Sequence, residues 1–272
     1  MVKLIVVDLD DTLIGLDLRV SKRNTQAVRK AQSKRIQVTL ATGRTFQTAE
    51  PFAKKLGLTL PVICYNGALV RNTHKVHIEK MLPEYYYPEL VDFAKRNKVQ
   101  LAFYVSHHSV IFFNRPLDAF AKEYLDKIEQ VSEITLVNFS HYSLPRTPIK
   151  AMLISTDKRT KVLEKRAKAK WGDKMYITIT RPNLLEFLNP EINKGTAVEY
   201  IAKMLKIPLW QTMAIGDGMN DIPMLQRVRY SVAVKNAPAA VEKEARYVVS
   251  SWEKDGVAEA IEWAIRHNAK KQ

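Results

Sequence analysis

The sequence has a single cysteine and no long apolar run. Cys64, alone among 272 residues, cannot form a disulfide within the chain. No apolar run approaches the roughly 18 to 20 residues that a membrane-spanning helix needs, and the first residues lack a signal-peptide cleavage site. There is neither a low-complexity stretch nor an internal repeat. These absences predict a cytoplasmic globular protein of one large or two modest domains, without a membrane-spanning segment.

The sequence has fewer acidic than basic residues: 43 Lys and Arg against 28 Asp and Glu, which gives a formal net charge of +15. A basic surface attracts anions, from phosphomonoesters to nucleic acids. Residues 157–174 are the clearest basic segment and predict an amphipathic helix, with Leu163, Ala167 and Ala169 between the lysines. No zinc-ligand spacing, RNA-binding signature or aromatic-interleaved basic array accompanies it. A solvated basic surface is therefore favoured over a nucleic-acid interface.

The first part of the chain alternates between strand and helix patterns. Short apolar runs predict buried strands, and Ser21 is a candidate helix N-cap. The predicted elements, in chain order, are strand 2–7, helix 21–34, strand 36–41, a helix from Pro51 to about Gly57, and a third strand in 61–70 that stops at Asn66-Gly67. Strand–helix–strand alternation implies right-handed crossovers and a parallel sheet.

After about Leu82 the pattern changes, and it returns from Asn193 onward. The intervening residues predict an α+β block, with helices 85–98, 116–131 and 157–174 and with strands in 101–114, 149–156, 175–180 and 184–188. The prediction is therefore an α/β, Rossmann-like core formed by 1–82 and 186–272, interrupted by an α+β cap domain at 83–185.

Polar residues follow four of the core strands directly. They are Asp8-Leu9-Asp10 after the first, Thr42-Gly43-Arg44 after the second, Asn66-Gly67 after the third, and 216–221 (GDGMND) after strand 212–215. Each group taken alone is ordinary turn chemistry. Because ligands bind at the carboxyl ends of parallel strands, all four groups together predict one shared site.

The residue types at this rim predict chemistry on phosphate. Asp8, Asp10, Asp217 and Asp221 would repel one another without a cation, and an all-oxygen ligand set is typical of Mg²⁺. Lys194 opens a predicted helix and can face an anion. The hydroxyl of Thr42 and the backbone N–H groups of Leu9 and Gly43 are further donors, so the set predicts a phosphoryl-binding ring around a metal.

Two carboxylates two residues apart project to the same side of an extended strand. Asp8 is the candidate nucleophile, because a carboxylate facing a phosphoryl group can form an aspartyl-phosphate. Asp10 is the candidate acid and base, which would protonate the leaving alcohol and later activate water. Asp11 is interpreted as a solvated turn residue.

The sequence resembles the haloacid dehalogenase superfamily of phosphatases, specifically the Cof-like branch (subclass IIB) with an α/β cap. The matching pieces occur in family order over essentially the whole chain: DLDDTL (8–13), ATGR (41–44), NGA (66–68), NKGTA (193–197), GDGMND (216–221), KNA (235–237) and DGVAEAIE (255–262). Two positions depart from the family pattern, because Asp11 and Lys235 stand where glycine is commoner.

The resemblance implies a Mg²⁺-dependent phosphomonoesterase acting on small phosphorylated metabolites, with sugar phosphates as the commonest family substrates. It implies Asp8 as nucleophile, Asp10 as acid and base, and Thr12 as support for their turn. Phosphoryl contacts are implied for Thr42, Gly43, Lys194 and Asn220. Mg²⁺ is implied on the Asp8 carboxylate, the Asp10 backbone carbonyl and Asp217, with Asp221 either a further ligand or a residue behind the ligands.

Two other functions stay open at this point. A phosphotransferase or phosphomutase would use the same aspartyl-phosphate with a different acceptor. A non-catalytic protein that binds phosphate or nucleic acid is disfavoured, because binding alone needs no nucleophile. The sequence assigns neither a particular substrate nor an oligomeric state.

Overall fold

The computed structural model describes residues 1–15, 17–105, 109–113, 119, 122, 133–137 and 147–270. Of the predicted helix 116–131, only Ala119 and Lys122 lie within the described residues. The chain divides into two compact units. The first unit comprises Met1–Gly43, Ala49–His77 and Asn193–Gln272, and the second comprises Arg44–Thr48 and Ile78–Ile192.

The strands in chain order are β1 Leu4–Val7, β2 Gln37–Leu40, β3 Val62–Cys64, β4 Leu69–Arg71, β5 Val76–Glu79, β6 Gln100–Tyr104, β7 Ser109–Phe113, β8 Glu133–Val137, β9 Lys150–Ile154, β10 Tyr176–Arg181, β11 Leu184–Leu188, β12 Thr212–Gly216, β13 Tyr230–Val234 and β14 Tyr247–Val249. The α-helices are α1 Lys22–Ser33, α2 Phe46–Lys55, α3 Tyr87–Asn97, α4 Asp157–Trp171, α5 Lys194–Met204, α6 Ile222–Arg227, α7 Ala239–Glu242 and α8 Gly256–Ala269.

The first unit is organised around a parallel five-stranded sheet with strand order β14-β13-β12-β1-β2. Strand β1 lies between β12 and β2, and all four of its apolar residues are buried, as expected for a strand covered on both faces. Helix α1 begins after Ser21, whose hydroxyl accepts the N–H of Asn24 at 3.0 Å. The predicted α/β core and its first helix are confirmed.

The third predicted strand is β3, which ends two residues before its predicted stop at Asn66-Gly67, and the sequence prediction missed β4 beyond that stop. Strand β3 ends at Cys64, a single 3₁₀ turn covers Tyr65–Gly67, and β4 returns antiparallel to β3. Tyr65 and Asn66 have φ values of 47° and 54°, and a left-handed backbone at two successive residues reverses the chain. Strand β3 contacts the end of β2 through a parallel bridge between Ala41 and Ile63.

The predicted helix start at Pro51 is wrong, because α2 begins five residues earlier, at Phe46. The sequence prediction missed β14, and it missed β8 in the second unit.

The second unit contains a six-stranded sheet with order β10-β11-β9-β6-β7-β8, in which β7 and β8 are parallel and the other pairs antiparallel. One face of this sheet, including Phe103, Leu153 and Phe187, packs in a buried cluster with α3 and α4. The predicted basic helix is α4, and Leu163 is buried as expected. Ala169 is exposed, whereas Ala167 and Trp171 are buried.

Among the residues that the structure describes, no helix combines the length and apolarity needed to cross a membrane.

Candidate active site

Three carboxylates from two neighbouring strands of the first unit lie together. Asp8 directly follows β1 and its backbone N–H donates to the carbonyl of Ile215 at 2.9 Å, which fixes the ends of β1 and β12 side by side. Carboxylate oxygens of Asp8, Asp217 and Asp221 all lie within 4.8 Å of one another. Asp8 and Asp221 are buried, and Asp217 is half-buried. This arrangement of acidic residues can hold a metal ion.

Lys194 lies against two of these carboxylates. Its Nζ donates to Asp8 Oδ1 at 2.5 Å and to Asp221 Oδ1 at 2.6 Å, and the side chain is fully buried. Helix α5 places it there: Asn193 caps the helix by accepting the N–H of Thr196 at 3.0 Å, and the Thr196 hydroxyl accepts the N–H of Asn193. The lysine therefore occupies the first helical position with its ammonium at the acidic group.

Asp221 holds both the lysine and the loop after β12. Its Oδ2 accepts the backbone N–H groups of Asp217 at 3.0 Å and Gly218 at 2.8 Å, while Oδ1 accepts from Lys194. A side chain at Gly216 would begin only 2.5 Å from Asp221 Cγ, so this close approach requires glycine. Asp221 is thus engaged through both oxygens within the protein.

The turn after β1 is fixed from two directions. The hydroxyl of Thr12, itself fully buried, donates to Asp217 Oδ1 at 2.6 Å. The side-chain amide of Asn236 donates to the carbonyl of Asp11 at 2.7 Å. Asp11 has φ of 56°, a left-handed conformation that glycine, asparagine and aspartate adopt most readily.

Asp10 and Leu9 belong to the same turn but have different surroundings. Asp10 is partly exposed, pairs with Ile14 through a parallel bridge, and is outside the group formed by Asp8, Asp217 and Asp221. Leu9 is fully buried, and its carbonyl accepts the N–H groups of Leu13 and Ile14. The predicted placement of all four acidic residues in one cluster is therefore met by three of them.

The ends of β2 and β3 also meet, as the strand-end argument predicts. The N–H of Thr42 donates to Ile63 at 2.8 Å, and the N–H of Asn66 donates back to the carbonyl of Thr42 at 3.0 Å. The Asn220 amide donates to Asn66 Oδ1 at 2.9 Å, and Gly43 packs beside the Asn66 amide. Asn66 is completely buried. Its position after the third strand predicted it at this edge of the sheet, but the sequence assigned it no catalytic or binding role.

The buried charged groups of the site shift one another's pKa values. Burial raises the pKa of Asp8 well above its usual value, and the Asp221 charge raises it further against the opposing effect of Lys194. Burial and the Asp221 charge also raise the pKa of Asp217, to about 7, although the hydrogen bond from Thr12 lowers it. Burial alone would lower the pKa of Lys194, but the charges of Asp221 and Asp8 outweigh burial and raise it.

Three carboxylates against one ammonium leave an excess of negative charge when all are ionised. A divalent cation would neutralise that excess, and the donor set consists only of oxygens, which suits a hard ion such as Mg²⁺. The residues present therefore fit a divalent metal.

A protein-family model described as haloacid dehalogenase-like hydrolase matches residues 5–261. The chain belongs to this family. A Streptococcus pyogenes protein assigned as a phosphatase is 30% identical over 97% of this chain and 99% of its own length. A Bacillus subtilis 5-amino-6-(5-phospho-D-ribitylamino)uracil phosphatase is 27% identical, covering 97% of this chain and 96% of the relative. Both of these relatives are named phosphatases, and this chain is a haloacid dehalogenase-like hydrolase.

The fold is also that of solved haloacid dehalogenase structures. A sugar phosphatase of subclass IIB superposes with a TM-score of 0.82 at 23% identity, covering 96% of this chain and 98% of that one. The haloacid dehalogenase resemblance of the sequence motifs is confirmed by the family model, and the solved structure shows that the fold is shared.

Proposed function

We propose that the protein is a Mg²⁺-dependent phosphomonoesterase that hydrolyses small phosphorylated metabolites through an aspartyl-phosphate on Asp8. The observation that carries the proposal is the buried Lys194 ammonium, held at 2.5 Å from Asp8 and 2.6 Å from Asp221 with Asp217 alongside. Binding of a phosphate alone would not need a carboxylate at its centre, because a carboxylate repels a phosphoryl group unless the two react or a cation lies between them.

The carboxylates of Asp8 and Asp217 and the backbone carbonyl of Asp10 would hold the metal. When bound, Mg²⁺ neutralises negative charge and polarises the phosphoryl group. Asp221 already accepts three hydrogen bonds through its two oxygens, which supports a positioning role for Asp221 behind the ligands rather than a place among them.

The proposed reaction has two displacements at phosphorus. In the first, an Asp8 oxygen bonds to phosphorus, the ester oxygen departs, and Asp10 gives that oxygen its proton. In the second, Asp10 takes a proton from water, the water oxygen bonds to phosphorus, and the bond to Asp8 breaks, releasing inorganic phosphate. Asp10 is partly exposed, which suits a group that exchanges protons with water and the leaving alcohol.

The phosphoryl oxygens need donors that are fixed before the substrate arrives. Lys194, the Thr42 hydroxyl, the Asn220 amide and the backbone N–H groups of Leu9 and Gly43 supply them in this proposal. Thr42 and Asn220 are linked through Asn66, whose side chain accepts from Asn220 at 2.9 Å and whose N–H donates to Thr42. Asn66 is therefore proposed as a positioning residue.

The relatives and the inserted unit support a proposal for the substrate class. One relative is named for a substrate whose phosphate sits on a ribityl chain, a phosphorylated polyol. We propose a similarly small, hydroxylated phosphate ester, with sugar phosphates as the first candidates, and a specificity-determining cap formed by residues 83–185. A phosphotransferase would use the same nucleophile and is distinguished below by its need for an acceptor.

The test is phosphate release from a panel of phosphorylated metabolites, with Mg²⁺ and with EDTA, by wild type and Asp8→Asn. We expect metal-dependent release that falls by at least about 10³-fold in Asp8→Asn, since the substitution removes the nucleophile. Asp11→Asn is the matched control, because it removes a neighbouring carboxylate at a left-handed position that asparagine also adopts. Release that survives EDTA or Asp8→Asn contradicts the proposal, and release that requires an added alcohol or sugar acceptor indicates a phosphotransferase.

A further inference from the structure

The second unit contains a cavity that the proposed reaction does not use. Its volume is about 690 Å³, which falls within the range of about 300 to 1,000 Å³ typical of small-molecule sites. Three segments line it, where α3 gives way to β6, where β9 gives way to α4, and in the β10–β11 turn: Lys98–Gln100, Ile154–Arg159 and Asn183.

The cavity lies at one end of the sheet of the second unit. In the pairing of β6 with β9, Gln100 lies opposite Ile154 at the cavity end, and Tyr104 lies opposite Lys150 at the other end. The chain enters the unit beside that other end, because Leu82 donates its N–H to Pro148 and Ile149 donates to Tyr104. At about 3.3 Å per residue, the strands separate the two ends by about 13 Å.

The walls of the cavity are apolar and its rim is cationic. Val99 and Ile154 are buried side chains that provide apolar surface. Lys98, Lys158 and Arg159 are exposed lining residues, and the only carboxylate among the lining residues is that of Asp157. The guanidinium of Arg159 donates to the carbonyl of Asn97. Three positive charges and one negative charge around this open cavity favour an anion over a neutral or cationic ligand.

Lys98 is placed at the cavity by the backbone at the end of α3. Helix α3 ends at Asn97, and Lys98 follows in a left-handed conformation with φ of 50°, its N–H donating to the carbonyls of Ala94 and Lys95. The N–H of Ser155 donates to the carbonyl of Asn183 at 3.0 Å, which joins the end of β9 to the β10–β11 turn. Two sides of the cavity are thus fixed by main-chain hydrogen bonds, as a pre-formed site requires.

We propose that this cavity is a second ligand site, which binds a small organic anion with its phosphate or carboxylate at the Lys98–Lys158 rim and its ring or carbon skeleton against Val99 and Ile154. Every residue predicted for catalysis or for metal or phosphate binding lies in the first unit. The proposed ligand site is separate from those residues in the chain's division into units, and the inference does not depend on the proposed reaction.

The test uses full-length protein in EDTA and follows backbone amide NMR shifts during titration with AMP, adenosine or citrate. AMP and adenosine differ in their phosphate, while citrate offers carboxylates without a ring. We expect AMP to shift the amides of 98–100 and 154–159 and adenosine to leave them unchanged. Citrate shifts at the same amides would assign carboxylates as well as phosphates to the site.

Charge variants separate a built site from general attraction by a basic protein. Lys98→Gln/Lys158→Gln removes two rim charges and should weaken AMP binding about tenfold, which corresponds to the loss of one good charged contact. Lys161→Gln/Lys165→Gln makes the same change in charge on exposed residues of α4 that do not line the cavity, and binding should change less than about twofold.

Three results would overturn the inference: AMP shifts confined to the first unit, equal weakening by the two double variants, or adenosine binding as tightly as AMP. Because the readout is binding in EDTA, absence of phosphate release in the activity assay would leave this result intact.

Discussion

The Thr12 hydroxyl lowers the pKa of Asp217, a candidate metal ligand. The Asp217 carboxyl is half-buried beside Asp221, and its pKa of about 7 would be higher still without the hydrogen bond from Thr12. Metal binding needs the deprotonated carboxylate, so the proton competes with the metal near neutral pH. Thr12 therefore influences the site through Asp217 rather than through the substrate.

Thr12→Val should weaken Mg²⁺ binding about tenfold, the lower end of what loss of such a supporting hydrogen bond costs. Because the Thr12 hydrogen bond lowers the pKa of Asp217, its loss in Thr12→Val should raise that pKa further. Mg²⁺-dependent activity should therefore appear at higher pH than in wild type. The measurement is the Mg²⁺ concentration for half-maximal activity at several pH values. Thr12→Ser keeps the hydroxyl and serves as the control, and equal behaviour of the two variants would contradict the role of the hydrogen bond.

The N-terminal cap of helix α5, which is recognisable in the sequence, positions the buried Lys194. Asn193 and Thr196 form a reciprocal cap, and Lys194 follows directly. Asn193→Ala should cost about 1 kcal/mol of unfolding free energy and should also lower kcat, because the first turn carries Lys194.

Ser21→Ala is the matched variant for that prediction, since Ser21 caps α1 by the same kind of hydrogen bond at 3.0 Å. It should cost about the same stability while leaving kcat unchanged. Urea unfolding and steady-state kinetics on both variants are the measurements. An unchanged kcat in Asn193→Ala would show that the cap has no effect on the lysine.

The sheet of the second unit contains a buried ion pair. Lys150 and Glu186 are 0% and 1% exposed, their charged atoms lie 2.9 Å apart, and Lys150 Nζ is 4.3 Å from the centre of the Tyr104 ring. Glu186→Leu should cost about 3–5 kcal/mol, because it removes the carboxylate that pairs with a fully buried ammonium.

The double variant Lys150→Met/Glu186→Leu removes both charges of this pair, and most of the lost stability should return. Urea unfolding of wild type, the single variants and the double variant completes a double-mutant cycle. Equal losses in Glu186→Leu and the double variant would show that the cost comes from packing rather than from the unpaired charge.

Elements with strong local signals could be predicted from the sequence, and those set by distant contacts could not. Strand β1 is a run of four buried apolar residues, and α1 has a serine cap, so both are recognisable locally. Strand β14 has three residues, with Tyr247 and Val248 exposed, which gives neither a buried run nor an alternation. The hairpin after β3 depends on left-handed backbone at Tyr65, which an aromatic side chain does not signal.

The same distinction holds for the site. Strand ends predicted that Asp8, Thr42, Asn66 and Asp217 meet, because parallel strands share an edge. The pairing of Lys194 with Asp8 crosses 186 residues of chain, and local pattern placed the lysine only opposite an unspecified anion. The support from Thr12 to Asp217 crosses 205 residues and likewise needed the fold.

At the scale of the whole molecule, the candidate active-site residues and the inserted segment Ile78–Ile192 belong to different units. Every candidate catalytic, metal-binding or phosphate-binding residue lies in the first unit, although the chain leaves that unit after His77 and returns at Asn193. The segments that lead in and out of the second unit run side by side: Lys80 pairs with Glu191 at 2.8 Å, and the Asn189 amide donates to the carbonyl of Met81. A short linker could therefore join them.

Replacing residues 82–188 with a short Gly-Ser linker should leave a folded protein that binds Mg²⁺ and releases phosphate from acetyl phosphate. The values of kcat/KM for different phosphorylated metabolites should then differ by no more than about tenfold, because discrimination depends on contacts to the organic part of the substrate. Circular dichroism, Mg²⁺ titration and the metabolite panel are the measurements, with the full chain as reference. A folded, Mg²⁺-binding variant that releases no phosphate would show instead that the second unit supplies groups needed for the chemistry itself.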